Sequence, residues 1–193
     1  MVISSILDYA HTLAGRAIDE GGLAVDATVG NGHDTAFLAR AVGPSGTVVG
    51  FDVQEAALTA ARRRLEAEGL EGTVRLVHAG HQTLAHELGG TERGEVDAIM
   101  FNLGYLPGGD HTVTTRPETT RQALEAGAKE LRHGGVLTVV VYTGHDGGEA
   151  EARAVEAWVS ALPQNRFRAL SYQFSNWSND PPRLFAVEKR GDT

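Results

Sequence analysis

The stretch that decides the fold is Asp26-Ala27-Thr28-Val29-Gly30-Asn31-Gly32-His33-Asp34-Thr35. A short apolar run over 23–28 leads into it, and a helical pattern over 33–42 leads out, closed by Gly43-Pro44. Strand, glycine turn and helix in that order let a backbone approach a ligand closely, because glycine has no side chain to hold it off. Such a ligand lies beyond the carboxyl end of a parallel sheet.

Working outward, the next run over 47–52 is rich in valine and ends in Gly50-Phe51-Asp52. A carboxylate at that strand end can accept both ribose hydroxyls of a nucleoside. The glycine loop has Gly30 and Gly32, but Thr35 stands where a dinucleotide fingerprint carries its third glycine. That fingerprint binds a pyrophosphate, which Asp26 would repel. A cationic, amine-bearing ligand suits the acid instead, so the order acid, loop, acid favours S-adenosylmethionine over NAD. An NAD-binding oxidoreductase is the competing reading from another class, and a tight turn in an unrelated α/β protein is the bland one.

The remaining pattern alternates helices and apolar runs. A leading helix is expected over 2–18, with Ile3, Ile6, Leu7, Ala10 and Ala14 on one face. A long helix over 54–68 carries Arg62-Arg63-Arg64, read as a solvated face beside glutamates. Strands are expected over 74–78, 96–103 and 136–142, and helices over 81–88, 119–132 and 149–162, with Pro117 placed to start the second. Two closing strands, 166–172 and 184–188, flank a loop over 173–183 that is long for a plain hairpin and reads as functional. The sum is one α/β domain over 1–193, a mostly parallel seven-stranded sheet with helices on both faces.

Composition narrows the function. Hydrophobic residues make up 41% of the 193, enough for a core, and no apolar run is long enough to span a membrane. Cysteine is absent, which excludes disulfides, thiolate metal sites and a cysteine nucleophile, and fits a cytoplasmic enzyme. His81 and His86 lack a neighbouring ligand cluster, so no metal is expected. The formal net charge of -8 is opposite to that of a general nucleic-acid binder.

Three segments carry a closer likeness: 26–35, Phe101-Asn-Leu-Gly-Tyr-Leu-Pro-Gly-Gly-Asp110, and Tyr142-Thr-Gly-His145. They resemble the bacterial rRNA-methylase family whose characterised members are the YtqB/MnmM-type tRNA methyltransferases. The likeness runs over nearly the whole chain, including Thr119-Thr120, Gly134-Gly135 and the loop 173–182. It implies a class I (Rossmann-like) methyltransferase fold and S-adenosylmethionine as cofactor. It also implies methylation of the aminomethyl nitrogen of 5-aminomethyl-2-thiouridine at the tRNA wobble position. An rRNA or a small amine metabolite is the alternative acceptor, and a non-catalytic nucleotide-binding module the alternative role. One departure stands out: the family pattern has Asp-Ser-His after the third strand, where this chain has Ala79-Gly80-His81. The backbone there, or the His81 or Gln82 side chain, stands in for that carboxylate at the adenine.

The expected cofactor residues are Asp26, Thr28, Gly30, Asn31, Gly32, His33, Asp34, Asp52, Gln54, His81 and Asn102. Asn102, ending the fourth strand, is expected to orient the attacking amine through its amide oxygen, with Tyr105 stacking on a base or closing the pocket. Amino methyltransferases with Asn/Asp-Pro-Pro-aromatic motifs use this strand end similarly, though Leu103-Gly104 replaces the prolines here. Gly104, Pro107, Asp110, Tyr142, His145, Asn176 and Trp177 are the expected substrate contacts, with Arg116 and Arg121 as further RNA candidates. An anticodon loop is single-stranded and is read by stacking and base edges, so an acidic protein can bind it, alone or as a homodimer.

Overall fold

The computed structural model describes residues 2–89, 95–106, 108, 113–144, 147–178 and 181–191. Pro107, Asp110 and His145, three of the expected substrate contacts, lie outside the described residues. Among the described residues one sheet has the order β3-β2-β1-β4-β5-β7-β6. Its strands are β1 (Leu23–Asp26), β2 (Thr47–Asp52), β3 (Val74–His78), β4 (Val96–Leu103), β5 (Leu131–Val141), β6 (Phe167–Tyr172) and β7 (Arg183–Lys189). The first five pair in parallel, and β7 pairs antiparallel with both β5 and β6. The helices are α1 (Ile6–Ala17), α2 (His33–Val42), α3 (Glu55–Glu68), α4 (Leu84–Glu87), α5 (Pro117–Glu130) and α6 (Gly148–Ser160).

The two-residue period of the central strands divides the core. In β4, Ile99, Phe101 and Leu103 join Leu84, Leu124 and Val155 on one face, while Ala98 and Met100 join Ile6, Ala10 and Leu38 on the other. Each large buried side chain contributes about 1.5–3 kcal/mol of apolar burial, which explains why strands covered on both sides read as unbroken apolar runs.

Three boundaries differ from expectation. Helix α1 starts at Ile6, not at residue 2, because Ser5 caps it by accepting from the Asp8 N–H at 3.1 Å. Its buried stripe is Ile6, Ala10, Ala14 and Ala17; Ile3 and Leu7 are exposed. Helix α5 stops at Glu130, and β5 begins at Leu131, which pairs with Val96 ahead of a register shift. The glycine pair 134–135 is therefore an irregularity inside a strand and not its start. Arg132, expected in the helix, donates instead to Asp97, Asp19 and the Ala17 carbonyl beneath the sheet. Finally, 81–88 is split into a 3-10 turn, His81–Thr83, followed by α4.

The strand order reverses between β1 and β4, so the chain leaves these neighbours toward opposite edges of the sheet. A crevice opens there at their carboxyl ends.

Candidate active site

Across that crevice the backbone N–H of Asn102 donates to Thr28 Oγ at 2.7 Å, joining the end of β4 to the first residues after β1. Beyond it lies a cavity of about 1090 Å3, lined by the glycine loop, the ends of β2 and β4, the turn at 79–82, part of the 104–116 loop and the start of α1. The volume is at the upper end of small-molecule sites and leaves room for two bound groups side by side.

The glycine loop is held from behind. Gly30 and Gly32 have φ of +50° and +77°, and a Cβ on Gly32 would stand 2.9 Å from both the Cα and Cβ of Ala61 in α3. Glycine is required at 32 for both reasons. From the same helix Arg64 donates through Nε to the Asn31 carbonyl at 2.9 Å, and its other end reaches His33 Nε2 at 3.0 Å. The third arginine of the run thus braces the glycine loop, correcting its reading as solvated surface; Arg62 does face solvent, paired with Glu55.

Asp52 accepts the Gly30 N–H at 2.9 Å on one oxygen and the Gln54 N–H at 2.8 Å on the other. Each oxygen keeps a lone pair free for a further donor. Asp26 is placed otherwise. It is fully buried behind the loop, accepting from Thr35 Oγ at 2.5 Å and from the Thr28 N–H at 3.1 Å. Burial, and then the charge of Asp34, push its pKa up to about 7. Among the described residues the carboxylates on the cavity wall are Asp8, Asp34 and Asp52; Asp26 lies behind the loop, its oxygens engaged by Thr35 and Thr28.

Asp34 ties three elements together. Its Oδ1 accepts from His11 Nε2 of α1 at 2.6 Å, and its Oδ2 accepts from the Asn102 side-chain N–H. The acidic Oδ2 fixes the amide: nitrogen toward Asp34, oxygen away from it. That oxygen, Asn102 Oδ1, is buried without a partner. A buried acceptor left unmade costs about 1–3 kcal/mol, a cost that a donor arriving with a ligand removes.

His81 is the second such group. Its ring is buried edge-on to Phe101 with centroids 5.7 Å apart, and Nε2 has no partner. Burial outweighs a hydrogen bond to the Ala27 backbone and lowers its pKa to about 4, so the imidazole is neutral. A neutral ring nitrogen near Ala79-Gly80 can accept a hydrogen bond where the family pattern has a carboxylate.

The acidic wall, the glycine loop and the two orphaned acceptors together fit a cationic nucleoside cofactor. The model of the family described as "Putative rRNA methylase" matches residues 48–188. The chain belongs to this family. A Clostridium thermocellum protein described as a "putative rRNA-methylase" is 41% identical, with a TM-score of 0.93 over 98% of this chain and all of that one. A Streptococcus mutans protein described as "a putative methyltransferase" and solved with SAH is 37% identical, with a TM-score of 0.86 over 97% of this chain and 99% of that one. The chloroplastic tRNA (mnm(5)s(2)U34)-methyltransferase of Arabidopsis thaliana is 33% identical over 190 residues, 94% of this chain and 69% of that protein. The protein is an S-adenosylmethionine-dependent methyltransferase of the class I fold, and the oxidoreductase reading of the glycine loop is set aside.

Within this family member the cavity gathers most of the expected residues. Thr28, Gly30, Asn31, His33, Asp34, Asp52, Gln54, His81, Asn102, Gly104, Tyr105 and Tyr142 line it. Gly32 supports the loop from behind. Tyr105 bridges to Thr114, and Thr114 Oγ donates to the Gly104 carbonyl at 3.0 Å, so the two ends of the loop that follows β4 are tied together. The buried carboxylate of Glu151 anchors its far end, accepting from Thr115 and Thr120 at 2.5 and 2.6 Å.

Asn176 and Trp177 do not line the cavity. Because Tyr172 pairs with Leu184 and Arg183 with Val141, their loop emerges on the cavity's end of the sheet. Trp177 stacks on Phe174 at 4.4 Å and is 59% exposed. Arg116 reaches the rim, while Arg121 is paired with Glu125. Sequence reasoning missed His11, Glu151 and the role of Arg64. Among the described residues no acidic or histidine cluster can hold a metal ion, and no helix is long and apolar enough to cross a membrane.

Proposed function

We propose that this single methyltransferase domain methylates the aminomethyl nitrogen of 5-aminomethyl-2-thiouridine at the wobble position of tRNA. One observation carries the reading: Asn102 offers a buried, unpartnered amide oxygen at the cavity wall, held outward because its nitrogen is committed to Asp34. An amine brings N–H donors, and this acceptor can take one while the nitrogen lone pair points at the methyl. The function named for the Arabidopsis relative supports the same acceptor.

S-adenosylmethionine supplies an electrophilic sulfonium methyl. The glycine loop with Thr28, Asn31 and His33 would hold its methionine end, Asp52 its ribose, and Gln54 with His81 its adenine side. The chain's own task concerns the amine, which attacks only when neutral, whereas a free alkyl ammonium has a pKa of ~10. Desolvation of the amine against the apolar part of the lining would favour the neutral form. Most of the acceleration comes from holding two bound molecules in line.

Tyr105 and Tyr142 line the same cavity as Asn102 and would enclose the base. Gly104 gives the loop a close approach to it. Arg116, Asn176 and Trp177 would meet the anticodon loop by charge and stacking, contacts that a net acidic protein can concentrate at one end of its sheet. The enzyme would act in the cytoplasm. Pairing of two copies belongs to the same proposal; the open edge of β6, with Leu170 exposed, supports it, and sedimentation at assay concentration tests it.

The test is Asn102→Ala with labelled S-adenosylmethionine and tRNA carrying the unmethylated nucleoside. Turnover falls about a hundredfold, the scale for a group that acts on the reacting centre, while cofactor affinity stays within a few-fold. Unchanged turnover would remove Asn102 from catalysis.

A further inference from the structure

We propose that His11 is a positioning residue for methyl transfer, acting through Asp34 on the amide of Asn102. The inference rests on the reading of Asn102 as the group that receives the amine. A carboxylate accepts hydrogen bonds on both oxygens, and each oxygen of Asp34 meets a nitrogen that can donate. His11 therefore carries its proton on Nε2, 2.6 Å from Asp34 Oδ1, and the Asn102 amide turns its NH2 to Oδ2. If the amide turned over, two donors would face an incoming amine that needs an acceptor, and Asp34 Oδ2 would face oxygen.

His11 has what this role demands. It lies on α1, outside the glycine loop and the strand ends, yet lines the cavity. Its ring lies flat against Phe37 of α2, with centroids 4.1 Å apart and planes 7° from parallel, which fixes where Nε2 points. Its side chain is 29% exposed and that of Asp34 12%, so the bond sits where water competes poorly with it. With Oδ1 engaged, the carboxylate cannot rotate away from Asn102. Without His11, Oδ1 loses its donor, the carboxylate is free to turn, and the polarity of the amide is no longer enforced.

The ring and its N–H can be separated. His11→Phe keeps the stack on Phe37 and deletes the donor; His11→Gln loses the stack but brings an N–H2 to the same carboxylate. In assays with S-adenosylmethionine and tRNA, His11→Phe is expected to lower kcat about tenfold, the scale of one hydrogen bond to a charged group. KM for S-adenosylmethionine stays near wild type, and His11→Gln recovers most of the loss. Asp34→Asn lowers kcat as well, and adding His11→Phe to it costs little more, because both act on the same amide. Wild-type kcat in His11→Phe, equal losses in the Phe and Gln variants, or fully additive losses with Asp34→Asn would each overturn the proposal. Should His11→Phe fail to fold, His11→Ala, which also deletes the donor, takes its place in the cycle with Asp34→Asn and decides by the same criterion of additivity. Asn102→Ala run alongside separates the two readings. If it is inactive while His11→Phe is not, only the positioning role falls; if it is fully active, the reading of Asn102 falls first.

Discussion

Arg64 Nε donates to the backbone carbonyl of Asn31 at 2.9 Å, pinning the glycine loop to the helix that follows β2. The loop carbonyl is the acceptor, so the bond restrains backbone that must stay in place whether or not a cofactor is bound. Replacing Arg64 by Ala is expected to raise Kd for S-adenosylmethionine three- to tenfold, roughly the 0.5–1.5 kcal/mol of one hydrogen bond. Arg64→Lys does not restore it, because a point ammonium cannot reach Asn31 and His33 together. Calorimetric titration checks both variants; an unchanged Kd in Arg64→Ala would return this arginine to the solvated surface.

Gly32 is constrained twice, by φ of +77° and by Ala61 at 2.9 Å from any added Cβ. The left-handed conformation alone costs a residue with a side chain roughly 1–2 kcal/mol. Gly32→Ala should therefore lower the unfolding midpoint by several degrees and weaken cofactor binding at least tenfold, whereas Gly69→Ala, with nothing within 4 Å of its Cβ, should show only the backbone cost. Differential scanning calorimetry of the two variants separates contact from conformation.

Asp26 gives the protein a pH signature. Its folded pKa of about 7 lies above that of an unfolded aspartate, so the folded chain binds the proton more tightly. Its contribution to stability is full below the unfolded value of about 4 and is lost as pH rises to about 7. Asp26→Asn should flatten the stability profile across that window. A cationic cofactor nearby favours the ionised form, so binding near pH 7 should release a fraction of a proton. The binding enthalpy would then vary with the ionisation enthalpy of the buffer, and in Asp26→Asn that variation would shrink.

One ring face of Trp177 is covered by Phe174 at 4.4 Å, and the proposed RNA contact would use the other. Stacking one base is worth ~1–3 kcal/mol. Trp177→Ala should weaken tRNA binding about tenfold in filter binding and leave the affinity for S-adenosylmethionine unchanged. Equal tRNA affinity would show that the ring serves only to hold its loop.

How much of this was legible in the sequence depended on whether a residue's role is local. Asp26 to Thr35 and Gly50 to Asp52 could be read because a strand end, a glycine and an acid carry their meaning at short spacing. The place of Asn102 at the cavity could be read because it follows the apolar run 98–101 at the end of a strand. Asp26 was recognised but misplaced, since spacing does not reveal that Thr35 and Thr28 already occupy its oxygens. His11 gave no signal: one histidine on an amphipathic helix has no period, and its partner is 23 residues away. Arg64 was hidden in a run of three, where only the phase of α3, with Ala61 and Leu65 buried beside it, turns it toward the loop. The glycine pair 134–135 looked like a boundary because pairing of Leu131 with Val96 is a tertiary event.

The most direct test of the account is the position of the transferred methyl. Purified enzyme is given S-adenosylmethionine with a deuterated methyl and tRNA from cells lacking this modification, and the digested nucleosides are read by fragmentation mass spectrometry. The account predicts one labelled methyl on the aminomethyl nitrogen of 5-aminomethyl-2-thiouridine, formed at least a hundredfold more slowly by Asn102→Ala, on the scale expected for a group acting at the reacting centre. A labelled methyl on any other atom of the tRNA, or none despite measured cofactor binding, would contradict it.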